Sequence, residues 1–357
     1  MTVETIVRDD AAAIGPEARG PRVWRGPELA DASRWTWQLS PPQIRDLTEA
    51  VNAVQAGGLD LPDIDAERFP LPSWASLIRR VRDELRRGRG FVLLRGVPVQ
   101  TYSDRQSRIA FWGIGTQIGL GLTQSARADL ICDITDRSEA RQNLERTYAT
   151  TQGLDFHCDF PDIVGLLCLR PAKRGGGSYI VSSGAVWNEI RARRPDLLPY
   201  LQRGLPWDRR NEHGEDESAI GPRIPVFKAV KGVIHCRYGK GSIFAAAERS
   251  GVPLLPAERE AVELVNQVAS DPGLALSMDF QPGDIQLLNN YFVLHSRAPY
   301  EDHPEPDRKR HLLRMWLEDE HYRYINHEPN LRYGVLRYGR LGLTAAELRS
   351  EQEGAWS

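Results

Sequence analysis

The chain has no surplus of positive charge, no closely spaced cysteine pair and no long apolar run. Each absence removes a class of function. Its 357 residues carry 46 Lys and Arg against 48 Asp and Glu, a formal net charge of −2. A dedicated phosphate-backbone binder shows a strong basic excess, so nucleic acid is not an expected partner. The Arg-rich stretch "LIRRVRDELRRGRG" is interrupted by acids at helical spacing and reads as a solvated helix face. No apolar stretch approaches the roughly 20 residues that span a bilayer, so no membrane partner is expected. Cys132, Cys158, Cys168 and Cys236 form no CxxC pair, which argues against a disulfide scaffold. The first residues lack the basic-then-apolar order of a signal peptide, and the expected location is the cytoplasm. Internal repeats and low-complexity linkers are also missing.

What remains is a globular composition, 41% hydrophobic and 26% charged. The organisation expected is a loose leader over 1–20 and one domain over 21–357. That domain divides into N-terminal helices over about 40–115, a β core over about 90–320 and a tail over 321–357. "SPPQIRDLTEAVNAVQAGG" predicts a helix capped by Ser40, opened by Pro41 and Pro42, and stopped by Gly57 and Gly58. "SWASLIRRVRDELRRGRG" and "RQSRIAFWGIGTQIG" predict two more, flanking the buried strand "FVLLRGVPV". From about residue 128 short apolar runs alternate with turn residues: "DIVGLLCLRP", "SYIVSSGAV", "IPVFKAV", "GVIHCRYG", "DIQLLNNYFVLHS" and "RHLLRMWLE". Many short strands predict a sandwich or barrel, interrupted by helices at "AVWNEIRARRPDLLPYLQRG" and "PAEREAVELVNQVASD".

Within "LDFHCDF", His157 and Asp159 stand two apart. On an extended chain they share a face, with Cys158 turned to the other side. His295, at the end of "NNYFVLHS", is the third candidate. Two His and one carboxylate form the facial triad that leaves iron positions open. Arg310 and Arg314 lie four apart in an apolar strand and so share a face. A buried guanidinium there calls for an anion such as the dianion 2-oxoglutarate. Ser178, opening the strand after "GGG", is placed to share that carboxylate. "GGGS" lacks the Lys and the following helix of a phosphate loop. A zinc-dependent hydrolase on the same three ligands and a metal-free module holding an organic acid stay open at this point.

The order HxD, GGxS, PGDxxxxNNxxxxH and RxxxR, spread over roughly residues 76–320, resembles the TauD/TfdA-like family of Fe(II)/2-oxoglutarate-dependent dioxygenases. The resemblance implies a mainly β fold with flanking helices, built on a double-stranded β-helix (jelly-roll, cupin-like) core. It implies His157, Asp159 and His295 as catalytic iron ligands, and Arg310 with Ser178 on the C5 carboxylate of 2-oxoglutarate. Arg314 is implied on either the substrate or the co-substrate. O2 and 2-oxoglutarate would be consumed, with release of succinate and CO2, in hydroxylation, desaturation or ring closure of a small molecule. The presence of Asp159 argues against the halogenating branch, which lacks that carboxylate. Tyr148, Phe156 and Asn290 are candidate substrate contacts, with core packing the equal alternative for Phe156, and the charged loop over 208–222 reads first as a solvated surface loop, with a lid as the alternative.

Overall fold

The computed structural model describes residues 15–124, 128–136, 150–210 and 218–322. Tyr148, most of the leader and the tail beyond residue 322 lie outside them. Two sheets face each other. The larger runs in the order β1 (Thr36–Gln38), β2 (Phe91–Arg95), β14 (Ile285–Asn289), β6 (Ile163–Arg170), β17 (His311–Glu318) and β3 (Leu120–Leu122), with β4 (Ile131–Ile134) also on β17. The smaller runs β13 (Leu276–Met278), β8 (Ser178–Ser182), β15 (Val293–Arg297) and β5 (Leu154–His157). All pairs are antiparallel except β1 with β2. Three short pairs complete the β structure: β7 (Arg174–Gly175) with β16 (Tyr300–Glu301), β9 (Leu205–Asp208) with β10 (Ile220–Ile224), and β11 (Phe227–Val230) with β12 (Val233–Cys236). This is the expected jelly roll.

Strand alternation explains the layering, because successive side chains point to opposite faces. On the large sheet Phe91, Leu93, Val164, Leu288 and Trp316 point inward and pack with Ile180, Met278 and Val293 of the small sheet. Their neighbours Val92, Leu94, Leu287, Leu313 and Met315 point outward and are covered by helices. Those helices are α1 (Pro41–Ala56), α2 (Ala75–Arg86) and α3 (Asp104–Thr116). In α1 the buried Leu47, Ala50, Val51 and Val54 form one stripe at helical spacing. Ser40 holds the N-cap position but makes no side-chain capping hydrogen bond; instead its backbone N–H donates to Gln43 Oε1 at 2.8 Å.

Two predicted elements split. "AVWNEIRARRPDLLPYLQRG" forms α4 (Ser183–Arg193) and α5 (Leu198–Gln202), because Pro195 drives Arg194 out of the helical region to φ −144°, ψ 63°. "DIQLLNNYFVLHS" forms two strands in different sheets. The chain turns at Asn289, whose side chain accepts from the Tyr291 N–H at 2.9 Å. Unforeseen was α6 (Lys240–Ser250), which with α4, α5 and α7 (Pro256–Ala269) covers the outer face of the small sheet. The turn "QPGD" enters β14 through Gly283 at φ +87°; a side chain there would strike the Val97 carbonyl at 2.1 Å.

One charged cluster ties β4 to β17 and α3. Asp133 accepts from His311 Nε2 at 2.7 Å and from the Arg108 guanidinium. Burial works to raise the Asp133 pKa, but the His311 hydrogen bond and the Arg108 charge outweigh it and bring it to about 2. A depressed folded pKa contributes stability above the unfolded value near 4, lost as pH falls from about 4 to about 2. Asp133→Asn is expected to cost about 1–2 kcal/mol at pH 7 after allowance for partial exposure. Its urea midpoint should then vary less between pH 4 and 2 than that of the parent. Equal midpoints at pH 7 would show that the cluster contributes nothing.

Candidate metal centre

Sheet register brings the first two ligand candidates together. His295 of β15 is the direct cross-strand partner of His157 of β5, and their rings lie 4.3 Å apart. Asp159 arrives differently from the expectation of a continuous strand. β5 ends at His157, and the next residues are held from outside the strand. The Cys158 N–H donates to the Tyr238 carbonyl at 2.8 Å, and the Asp159 N–H donates to Asn290 Oδ1 at 3.1 Å. Arg237 donates to the carbonyls of Asp159 at 3.1 Å and Pro161 at 3.3 Å. These bonds keep the backbone extended long enough for Asp159 to turn toward the two imidazoles. One donor atom from each of His157, Asp159 and His295 falls within 4.8 Å of the others.

The protonation states suit a divalent metal. His157 Nδ1 lies 2.9 Å from the Asp155 carbonyl, which orients the ring with Nε2 4.0 Å from Asp159 Oδ1. Burial, followed by the neighbouring His157, pushes the His295 pKa down to about 3, so that ring is neutral. Burial tends to raise the Asp159 pKa, but Arg314, His295 and His157 overcome it and hold the group below the usual carboxylate range. Two imidazoles and one carboxylate match a borderline divalent ion with three open positions.

A cavity of about 360 Å³ opens over this triad. Arg310, only 4% exposed, lines it, and its Nη1 has no hydrogen-bond partner. Arg297, missed in the sequence, lies close by and donates to the Thr150 carbonyl at 2.8 Å. Burial lowers both arginine pKa values, Arg297 to about 10 with further help from Arg310. Two neighbouring desolvated guanidiniums repel unless an anion joins them, so this end of the cavity fits a carboxylate. Ser178 lines the same end, its Oγ accepting from Gln286 Nε2 at 3.3 Å.

Arg314 lines the cavity too, but its contacts differ from those expected. Its Nη1 reaches the Asp159 carboxylate at 3.3 and 3.4 Å, and its Nε donates to Gln124 Oε1 at 2.8 Å. Trp316 Nε1 donates to Asp159 Oδ2 at 3.1 Å. Arg314 and Trp316 thus orient the carboxylate. Asn290 is fully buried and braces the ligand turn through Asp159 N and the Pro161 carbonyl, away from the cavity wall. Phe156 serves as both cavity wall and core. Cys158 packs into the apolar cluster with Cys236, as its alternation implied.

Residues 44–316 match the model of the family described as taurine catabolism dioxygenase TauD, TfdA family. The chain belongs to the TauD/TfdA dioxygenase family. Its similarity to FR-33289 synthase of Streptomyces rubellomurinus is 30% identity over 309 residues, 85% of this chain and 91% of that protein. A uridine-5'-phosphate dioxygenase of an Amycolatopsis species is 30% identical over 175 residues, 47% of this chain and 62% of that one. Asparagine oxygenase, solved with Fe(II), 3-hydroxyasparagine and succinate, superposes with a TM-score of 0.62 at 18% identity, over 84% of this chain and 98% of that one. This TauD/TfdA member is an Fe(II)- and 2-oxoglutarate-dependent dioxygenase, which sets aside the hydrolase and the non-catalytic module. No helix among its described residues is long and apolar enough to cross a membrane.

Proposed function

We propose that His157, Asp159 and His295 hold the Fe(II), and that Arg310, with Ser178, holds the C5 carboxylate of 2-oxoglutarate. One observation carries this reading: three convergent ligands share a cavity with a buried arginine whose Nη1 has no partner. Bound iron with 2-oxoglutarate and O2 supplies the oxidant for C–H cleavage, releasing succinate and CO2. The chain's own residues bind and orient. Arg314 and Trp316 fix Asp159, the Asp155 carbonyl orients the His157 ring, and the apolar wall of Phe156, Phe160, Leu166 and Leu312 keeps bulk water from the centre. The substrate is a small molecule accommodated in the cavity that Trp207 and the start of α6 also line, and the reaction is hydroxylation, desaturation or ring closure. Relatives named for uridine 5'-phosphate support a small, anionic substrate.

Anaerobic addition of Fe(II) and 2-oxoglutarate to the protein tests this. A weak visible charge-transfer band, followed by succinate on admission of air, is the expected result. A protein giving neither would end the assignment.

A further inference from the structure

A buried guanidinium that is to receive a carboxylate must be held in place beforehand without its N–H groups being used up. A resident Asp or Glu on the guanidinium would hold it but would compete with the incoming anion. An aromatic ring avoids that conflict, because its negatively polarised face attracts the cation without accepting its hydrogen bonds. Arg310 has such a ring. Its guanidinium carbon lies 5.2 Å from the centre of the Tyr300 ring, and that of Arg297 lies 4.9 Å from the same centre. Tyr300 is itself buried. Asp302, a nearby carboxylate, accepts from the Arg310 backbone N–H at 2.7 Å and so fixes the main chain. Arg297 directs its Nη2 at the carbonyls of Thr150 and Gln152.

The backbone around Tyr300 favours this contact. Tyr300 opens β16 opposite Gly175 of β7, and its N–H donates to the Thr151 carbonyl at 3.0 Å. The Gly176 N–H donates to the Pro299 carbonyl at 3.1 Å. Here the glycines of "GGGS" find a use. Gly175 and Gly176 both lie in the left-handed region, at φ +75° and +72°. A Cβ on Gly175 would fall 2.5 Å from the Pro299 carbonyl oxygen. A Cβ on Gly176 would fall 3.2 Å from Tyr300 Cβ and 3.3 Å from Arg310 Nε. The bare turn therefore lets Tyr300 and Arg310 pack where a side chain would press on both. Ser178, two residues further on, lines the cavity beside Arg310.

We propose that Tyr300 is a positioning residue for 2-oxoglutarate: its ring, seated on the Gly175–Gly176 turn, sets Arg310 in the orientation that meets the C5 carboxylate. This deepens the reading above and rests on Arg310 as the anchor of the co-substrate. Arginine carries a long side chain with many rotamers, and the Arg297 charge beside it disfavours the extended one that reaches the cavity. Without the ring, Arg310 spreads over several orientations. The apparent Kd for 2-oxoglutarate then rises as the inverse of the fraction still aimed at the carboxylate. The metal ligands and the reacting atoms are untouched by that change, so the effect falls on co-substrate binding.

Anaerobic titration of the Fe(II)-loaded protein with 2-oxoglutarate, followed by the charge-transfer band, reads the Kd without turnover. Tyr300→Leu is expected to raise that Kd about tenfold, the factor that a desolvated cation–π contact supports. Its Fe(II) affinity should stay within about twofold of the parent, and kcat at saturating co-substrate should change less than the Kd. Tyr300→Phe, which keeps the ring, should return the Kd to within about threefold of the parent. In an Arg310→Ala background the Leu substitution should add no more than about twofold, because Tyr300 acts through Arg310. Tyr300→Met fills much of the same space and repeats the measurement should the Leu protein not fold. A Leu variant with the parental Kd, or a Phe variant as weak as Leu, overturns the proposal. So does a full-sized Leu effect without Arg310, or a parallel loss of Fe(II) affinity, the mark of general damage to the fold. An Arg310→Ala protein with the parental Kd ends instead the assignment of Arg310 itself, which separates that failure from this one.

Discussion

Asp159→Ala is expected to bind Fe(II) at least about 100-fold more weakly than the parent and to form no succinate above background. The lower bound follows from comparison: losing a residue that merely orients a ligand costs about 10–100-fold in metal affinity, and losing the ligand itself must cost more. A second effect accompanies it. Asp159 is buried and is the carboxylate partner of Arg314 at 3.3 Å, so its removal leaves a desolvated guanidinium with less compensation. Breaking a buried pair from one side costs about 3–5 kcal/mol, enough to lower the melting temperature visibly. Asp159→Asn separates the two effects, since it keeps the shape and an oxygen for Trp316 but weakens the metal bond. Fe(II) titration and a succinate assay on both variants decide the matter. An Asp159→Asn protein with parental metal affinity would remove Asp159 from the ligand set.

The site was legible to the extent that its chemistry depends on residue type and strand order. HxD, a distant His and an Arg pair in an apolar strand name a metal and an anion without any coordinates. The helices over the large sheet were legible because Ser40 and Gly57–Gly58 mark their ends and the buried stripe keeps helical period. What the sequence does not disclose depends on tertiary placement. Arg314 reads as a residue reaching for a bound molecule; its contact with the Asp159 carboxylate is visible only in the folded structure. Asn290 sits beside a ligand strand in sequence, yet its amide is consumed by the turn carrying Asp159. An apolar run such as "DIQLLNNYFVLHS" does not disclose a change of sheet, because both halves are equally buried. α6 was hidden by its glycine-rich start, "YGKGS", although the following "IFAAAERSG" has strong helix formers and a glycine in the left-handed region at its end.

Arg310→Ala should raise the KM for 2-oxoglutarate by about 100-fold or more, because each hydrogen bond to a charged group contributes about 1.5–3 kcal/mol and a fork makes two. The effect on kcat at saturating co-substrate should be smaller, since the residue lies at the far carboxylate and not at the reacting atoms. Stability gives an independent reading of the same residue. In the ligand-free protein Arg310 is a buried cation next to Arg297, with one nitrogen lacking a partner, so it opposes folding there. Replacing it with Met should therefore leave the ligand-free protein as stable as the parent or more so. With Fe(II) present, 2-oxoglutarate at 100 times its Kd stabilises the parent by about 2.7 kcal/mol. The Met variant should show almost none of that gain at the same concentration. A residue that existed only to hold the fold would give the opposite pattern, a loss of stability without ligand and an unchanged ligand-induced gain. Paired thermal melts with and without 2-oxoglutarate, beside the KM measurement, distinguish a cation kept for its ligand from one kept for its fold.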